Sequence, residues 1–82
     1  MATSDVVNYL HDLVILLMED LEEARGARNR LDRDSAGREF EAGRAFAFVE
    51  ALSLVHHQAE AFGVPLDEIG LAEFDEDREL TG

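Results

Sequence analysis

Apolar residues recur along this chain at helical spacing, in two runs separated by a polar connection. In the first run Val7, Leu10, Val14, Leu17, Leu21, Ala24 and, a heptad later, Leu31 advance mostly by threes and fours. That step stacks side chains on one face of an α-helix, because 3.6 residues complete a turn. Thr3, Ser4 and Asp5 offer oxygens for the unpaired amides of a first turn. The pattern predicts a first helix over about 4–32, weakened at Gly26, where glycine costs about 1 kcal/mol relative to alanine. Ala45, Phe48, Leu52, Val55, Ala59 and Phe62 repeat the spacing and predict a second helix over about 35–62, with Asp34 or Ser35 as its N-cap. Gly63 can adopt the left-handed conformation that ends a helix, and Pro65 prevents continuation. Residues 65–69 then read as one short helical turn, and 70–82 as an acidic tail that keeps Leu71, Phe74 and Leu80 for anchoring. No segment has the alternation of a strand. The expected fold is all-α, a single helical domain built on an antiparallel hairpin.

A short connection makes two helices antiparallel neighbours. With the turn centred near Arg33 and Asp34, facing residues have numbers summing to about 67. The apolar seam leaves a second stripe unused. Val6, Tyr9, Leu13 and Leu16 on the first helix, with Ala47, Ala51, Leu54 and Ala61 on the second, fall on the same side of the hairpin. The opposite flank carries His11, Met18, Val49 and His56. Two helices cannot cover the second stripe, and a chain this short buries only about 60% of its unfolded surface. The expectation is that the short third element covers part of it and a second copy covers the rest. Val6, Tyr9, Leu13, Leu16, Ala47, Ala51 and Leu54 would then form the interface of a homodimeric four-helix arrangement. The competing expectation is a monomeric three-helix core closed by Leu66, Ile69, Leu71 and Phe74.

Charge changes this picture more than composition does. The 82 residues hold 19 acids against 7 basic residues, a formal net charge of -12, and all seven bases are arginines. Such a balance argues against direct binding to nucleic acid or anionic membrane. Six of the arginines lie between Arg25 and Arg44, whereas the last twenty residues carry seven acids against Arg78. An extended hairpin would therefore place an arginine-rich tip at one end and the acidic tail at the other. The absence of cysteine excludes disulfides and fits a reducing, cytoplasmic setting. No cationic start precedes the apolar stretch, as a signal peptide would require, and the longest apolar run, Leu13 to Met18, is too short to span a bilayer.

Few residues offer chemistry. His11 and His56 sum to 67 and share a flank, with His57 and Glu60 nearby, so they are the candidates for a metal site, although half-buried polar histidines are the commoner outcome. Ser53 precedes His57 by one helical turn, but nothing supplies the orienting acid and oxyanion donors that nucleophilic catalysis needs. The run Asp75 to Glu79 lacks the glycine and final glutamate of an EF-hand loop. Gly43 reads as a point of close helix approach, with Arg44 reaching toward Glu23 or Glu41, and Phe40, Phe46 and Phe48 read as core or interface anchors. No cofactor is implied, and no constellation joins nucleophile, base and charge stabiliser, so the chain reads as non-enzymatic.

The acids are the remaining resource. Duplex DNA presents a charge every ~1.7 Å, so dense carboxylates on one surface can occupy a basic nucleic-acid channel on a protein. Glu19, Asp20, Glu22 and Glu23, with Glu73, Asp75, Glu76, Asp77 and Glu79 of the tail, are the candidates. The sequence thus points to a non-catalytic acidic module that binds a protein partner, in its sharpest form an inhibitor covering a basic surface, of an anti-CRISPR or other anti-defence type. The alternative is a structural or regulatory homo-oligomerisation module in which charge supplies only solubility. A histidine-based metal-binding protein is a lesser alternative.

Overall fold

A computed structural model describes the backbone of residues 2–81 and side chains from Asp5 to Thr81. Helix α1 spans Ala2–Asn29 and α2 spans Ala36–Ala61; a 3-10 turn, Leu66–Ile69, and a short helix α3, Glu76–Thr81, complete the chain. There is no strand among the described residues. The long helices pack side by side, and the principal extents are 51 × 21 × 15 Å.

The first helix starts earlier and ends sooner than its apolar spacing predicts. It runs through Ser4 and Thr3, so neither is its cap, and their side chains lie outside the described residues. At the other end the Arg30 amide donates to the carbonyls of both Gly26 and Ala27, and the Leu31 amide to Arg28. Those tightened bonds close the helix at Asn29. The Arg38 guanidinium then reaches back to donate to the same Arg28 carbonyl at 2.8 Å, giving it a second bond at the helix end. Leu31 consequently leaves the seam and lies against Gly37.

α2 keeps its expected bounds. Ser35 Oγ accepts from the Arg38 amide at 3.1 Å, an N-cap, while its hydroxyl donates to the Asp32 carbonyl. At the far end Gly63 adopts φ +71, the Gly63 amide donates to Glu60 and the Val64 amide to Ala59. These are the two paired bonds of a Schellman ending. Phe62, expected in the seam, becomes the C-cap residue and is the most exposed of the large apolar side chains.

The core is Val14, Leu21 and Ala24 of α1, Ala45, Val49, Leu52 and Ala59 of α2, Ile69 at the end of the 3-10 turn and Leu71 just beyond it. Gly43 is not a close-approach point. A side chain added there would meet nothing within 4 Å.

The last twenty residues depart most from expectation. Gly70 takes φ +79 and lies against His11 and Val14, which turns the chain back along the hairpin. Leu71 buries completely, Phe74 packs on the core, and α3 reaches Arg25. The tail is therefore not a projection at the end opposite the arginines. It returns toward them, and it covers the flank of His11, Met18, Val49 and His56 instead of the second apolar stripe.

Candidate functional site: an acidic flank and an apolar flank

The returning segment brings together acids that are 50 or more residues apart in the chain. The Arg25 guanidinium donates to the Glu79 carbonyl at 2.6 Å, lies 3.1 Å from the Glu79 carboxylate and 3.6 Å from that of Glu22. Arg25 and Glu79 are both mostly shielded from water, whereas Glu22 is exposed. One arginine thus joins the acidic stretch of α1 to the acidic C-terminal segment. A pair so shielded is screened less by salt than an exposed one.

The nine expected partner-binding acids separate into roles. Asp75 caps α3, accepting from the Asp77 amide at 3.0 Å, and Glu79 is held by Arg25. Glu23 lies 3.5 Å from Arg44 on the opposite flank, near Asp20 in the helix register. Glu76 is half-buried in the first turn of α3. Glu19, Asp20, Glu73 and Asp77 are exposed and make no ion pair among the described residues. Glu73 and Asp77 belong to the C-terminal segment that carries Glu79, whereas Glu19 stands one helical turn from both Glu22 and Glu23 on the outer face of α1; the α1 cluster therefore spreads over that face instead of gathering on one flank. A cation interrupts the C-terminal acids, for Arg78 donates to the Glu73 carbonyl and sits 3.9 Å from Glu79.

Across the molecule Arg44 lies between Glu23 and Glu41. Its guanidinium donates to Glu41 at 2.6 Å and lies 5.7 Å from the Phe48 ring centroid. The Glu41 hydrogen bond, opposed by desolvation and reinforced by the Glu41 and Glu23 charges, raises the Arg44 pKa above its ordinary value. The residue stays cationic at any physiological pH.

The seven residues expected at a dimer interface remain on the uncovered flank. Val6, Tyr9, Leu16 and Leu54 are 53%, 67%, 58% and 62% exposed, Ala47 is exposed, and Leu13 and Ala51 are half-buried. Toward the open end of the hairpin this surface deepens into a groove of about 500 Å³ whose walls include Val6, Leu10, Leu54, Val55 and Phe62, with Gln58 the one polar lining residue among those described. Sequence spacing found the stripe but not the groove, which exists because Phe62 ends α2 pointing away from the core. A smaller cavity of about 210 Å³ lies under α3, between Arg25, Phe46, Val49 and Leu80. Phe46 and Phe40 are largely exposed; only Phe48 of the three phenylalanines packs on the core.

The histidines do not assemble a metal centre. Among the described residues no group of three or more His, Cys, Asp or Glu is placed to hold an ion. His11 is faced by Gly70, and His56 lies 5.8 Å from both the Phe74 and His57 rings, with its Nδ1 3.4 Å from Glu60. These imidazoles line the returning segment's path. Ser53 is buried while His57 is exposed, so this helical neighbour pair presents no accessible hydroxyl. No helix of the described residues is long and apolar enough to cross a membrane. No protein family, curated protein or solved structure matches this chain.

Proposed function

We propose that this protein is a non-catalytic binding module that docks its acidic flank on a basic surface of a protein partner, one of the kind that holds nucleic acid. A single observation carries the reading: Arg25 sits between Glu22 and Glu79, so acids from α1 and from the C-terminal segment share one side of the rod. Glu73 and Asp77 of the C-terminal segment, with Glu19 on the outer face of α1, supply further exposed charge. Charge of one sign, focused on one side, steers encounter with a cationic channel and competes with phosphates for the same arginines and lysines. An inhibitor of a nucleic-acid-handling complex, the anti-defence type included, is the sharpest form of this function. No compartment is needed for it beyond one that the partner shares.

The reading is tested by partner capture from the native host at low and high salt, with nucleic acid as competitor. Capture is expected to weaken steeply with salt, and the captured protein should lose its nucleic acid as this one binds. Replacing Glu19, Glu73 and Asp77 with arginine leaves the Asp75 cap and the Arg25 tether in place. That variant is expected to lose capture, and undiminished capture would overturn the reading. A second reading, an association module whose function is the apolar flank itself, is favoured by the groove beside Leu54. Under it the acid variant stays active and Leu54→Glu does not.

A further inference from the structure

From the uncovered flank we infer that a second copy of this chain occupies it, in a two-fold dimer that sets α1 of each protomer against α2 of its partner. The inference stands apart from the acidic-flank reading, because it concerns the opposite side of the hairpin. Its first support is area. A compact monomer of 9.1 kDa is expected to expose about 4,900 Å². This chain exposes 5607 Å², an excess of about 700 Å². A stable interface removes about 800 Å² from each partner. The excess therefore matches one protomer's share of a dimer contact.

The second support is complementarity of shape. Across the flank, α1 contributes the large side chains Tyr9, Leu13 and Leu16, while α2 contributes Ala47, Ala51 and Ala61 around the large Leu54, interrupted by Gln58. A two-fold axis parallel to the helices turns this surface onto itself. It sets Val6 over the partner's Ala61, Leu16 over the partner's Ala51 and Tyr9 over the partner's Gln58, at the same height along the rod. Leu13 then faces the partner's Leu54, and Phe62 reaches the edge of the partner's groove.

Charge chooses between the two possible axes. Asp20 and Glu23 lie on α1 at the tip-ward end of the stripe, level with Arg44 on α2, as the 3.5 Å contact between Glu23 and Arg44 shows. With the axis parallel to the helices, each copy's Asp20 and Glu23 come level with the partner's Arg44. With the axis across the helices, those acids would lie over the partner's open end, where Asp5 and Asp12 are and no arginine is. Among the described residues only the parallel axis pairs these acids with an arginine. It also leaves both acidic flanks pointing outward.

The test is mass by sedimentation equilibrium from micromolar to millimolar concentration, with far-UV circular dichroism as the control for folding. The chain is expected at twice 9.1 kDa. Leu54→Glu and Leu16→Glu, each at an exposed site, are expected to keep their helical signal and weaken self-association by about 100-fold or more. A mixture of a Leu13→Cys protein and a Leu54→Cys protein should form the mixed disulfide on oxidation in preference to either homotypic one. A single-chain mass throughout the range, a larger closed assembly, or a dimer indifferent to both glutamate variants would overturn the inference. Homotypic disulfides in preference to the mixed one would overturn the axis. None of these readings depends on partner capture, so a failure here is separate from a failure of the acidic flank.

Discussion

On one flank of the hairpin, Gly70 turns the chain back, Leu71 becomes fully buried and Val49 is left 2% exposed; on the other, Tyr9, Leu16 and Leu54 keep more than half their surface in water. Both flanks began with apolar or amphipathic residues beside the same seam. What separates them is the direction in which the chain leaves α2. The Schellman ending at Gly63 and the rigid Pro65 send it toward the His11 side, and the left-handed Gly70 fixes the return. A helical hairpin too small to enclose its own core thus closes one side with its own tail. The same tail carries the acids, so the closed side is also the charged side. The two candidate surfaces, one for charge and one for apolar contact, arise from a single turn of the backbone.

This contrast can be broken by substitution, and the largest effect belongs to the closed flank. Leu71→Ala is expected to cost about 2–5 kcal/mol in denaturant unfolding, since it empties a fully buried site. Leu16→Ala, measured where the protein is a single chain, should change stability by less than about 1 kcal/mol. Equal losses at the two positions would erase the distinction between the flanks.

Gly70→Ala should cost about 1–2 kcal/mol, because an L-residue at φ +79 is strained. Its Cβ would stand 3.4 Å from His11, an ordinary contact that adds little. The loss should appear as faster hydrogen exchange across the C-terminal segment, with the centre of α1 less affected. Arg25→Ala removes the tether to Glu79 and is expected to cost about 1 kcal/mol, the size of a partly shielded charged hydrogen bond. Its signature is exchange at the α3 amides approaching that of a free peptide while α2 stays protected. The smallest effect has the opposite sign. Gly43→Ala should stabilise by about 0.5–1 kcal/mol, since the site is helical, exposed and open.

The hairpin was legible because its information is periodic. Steps of three and four from Val7 to Ala24 and from Ala45 to Ala59 specify two helices, and Ser35, Gly63 and Pro65 punctuate them through local chemistry. The candidate surfaces were legible only in part. The second stripe followed from the same periodicity, but its division from the covered flank depends on the path of residues 63–75, where no periodic signal exists. Gly70 is one glycine among six in the sequence, and nothing local distinguishes its positive φ from the ordinary helical geometry of Gly43. Acid density alone made residues 70–82 read as a solvated tail. The decisive residues were Leu71 and Phe74, whose apolar anchoring outweighs the local charge, and Asp75, whose carboxylate starts a helix instead of meeting a partner. Leu31 and Phe62 misled for a related reason. Each continues an apolar spacing one step beyond the point where backbone hydrogen bonding ends the helix.

The return of the chain along the His11 side is the premise shared by both surfaces, and nuclear Overhauser contacts from the Phe74 ring test it most directly. With ring centroids 5.8 Å apart, Phe74 is expected to show strong cross-peaks to the His56 imidazole. Cross-peaks from Phe74 to Tyr9 or Leu54, with none to His56, would place the tail on the opposite flank and contradict the account.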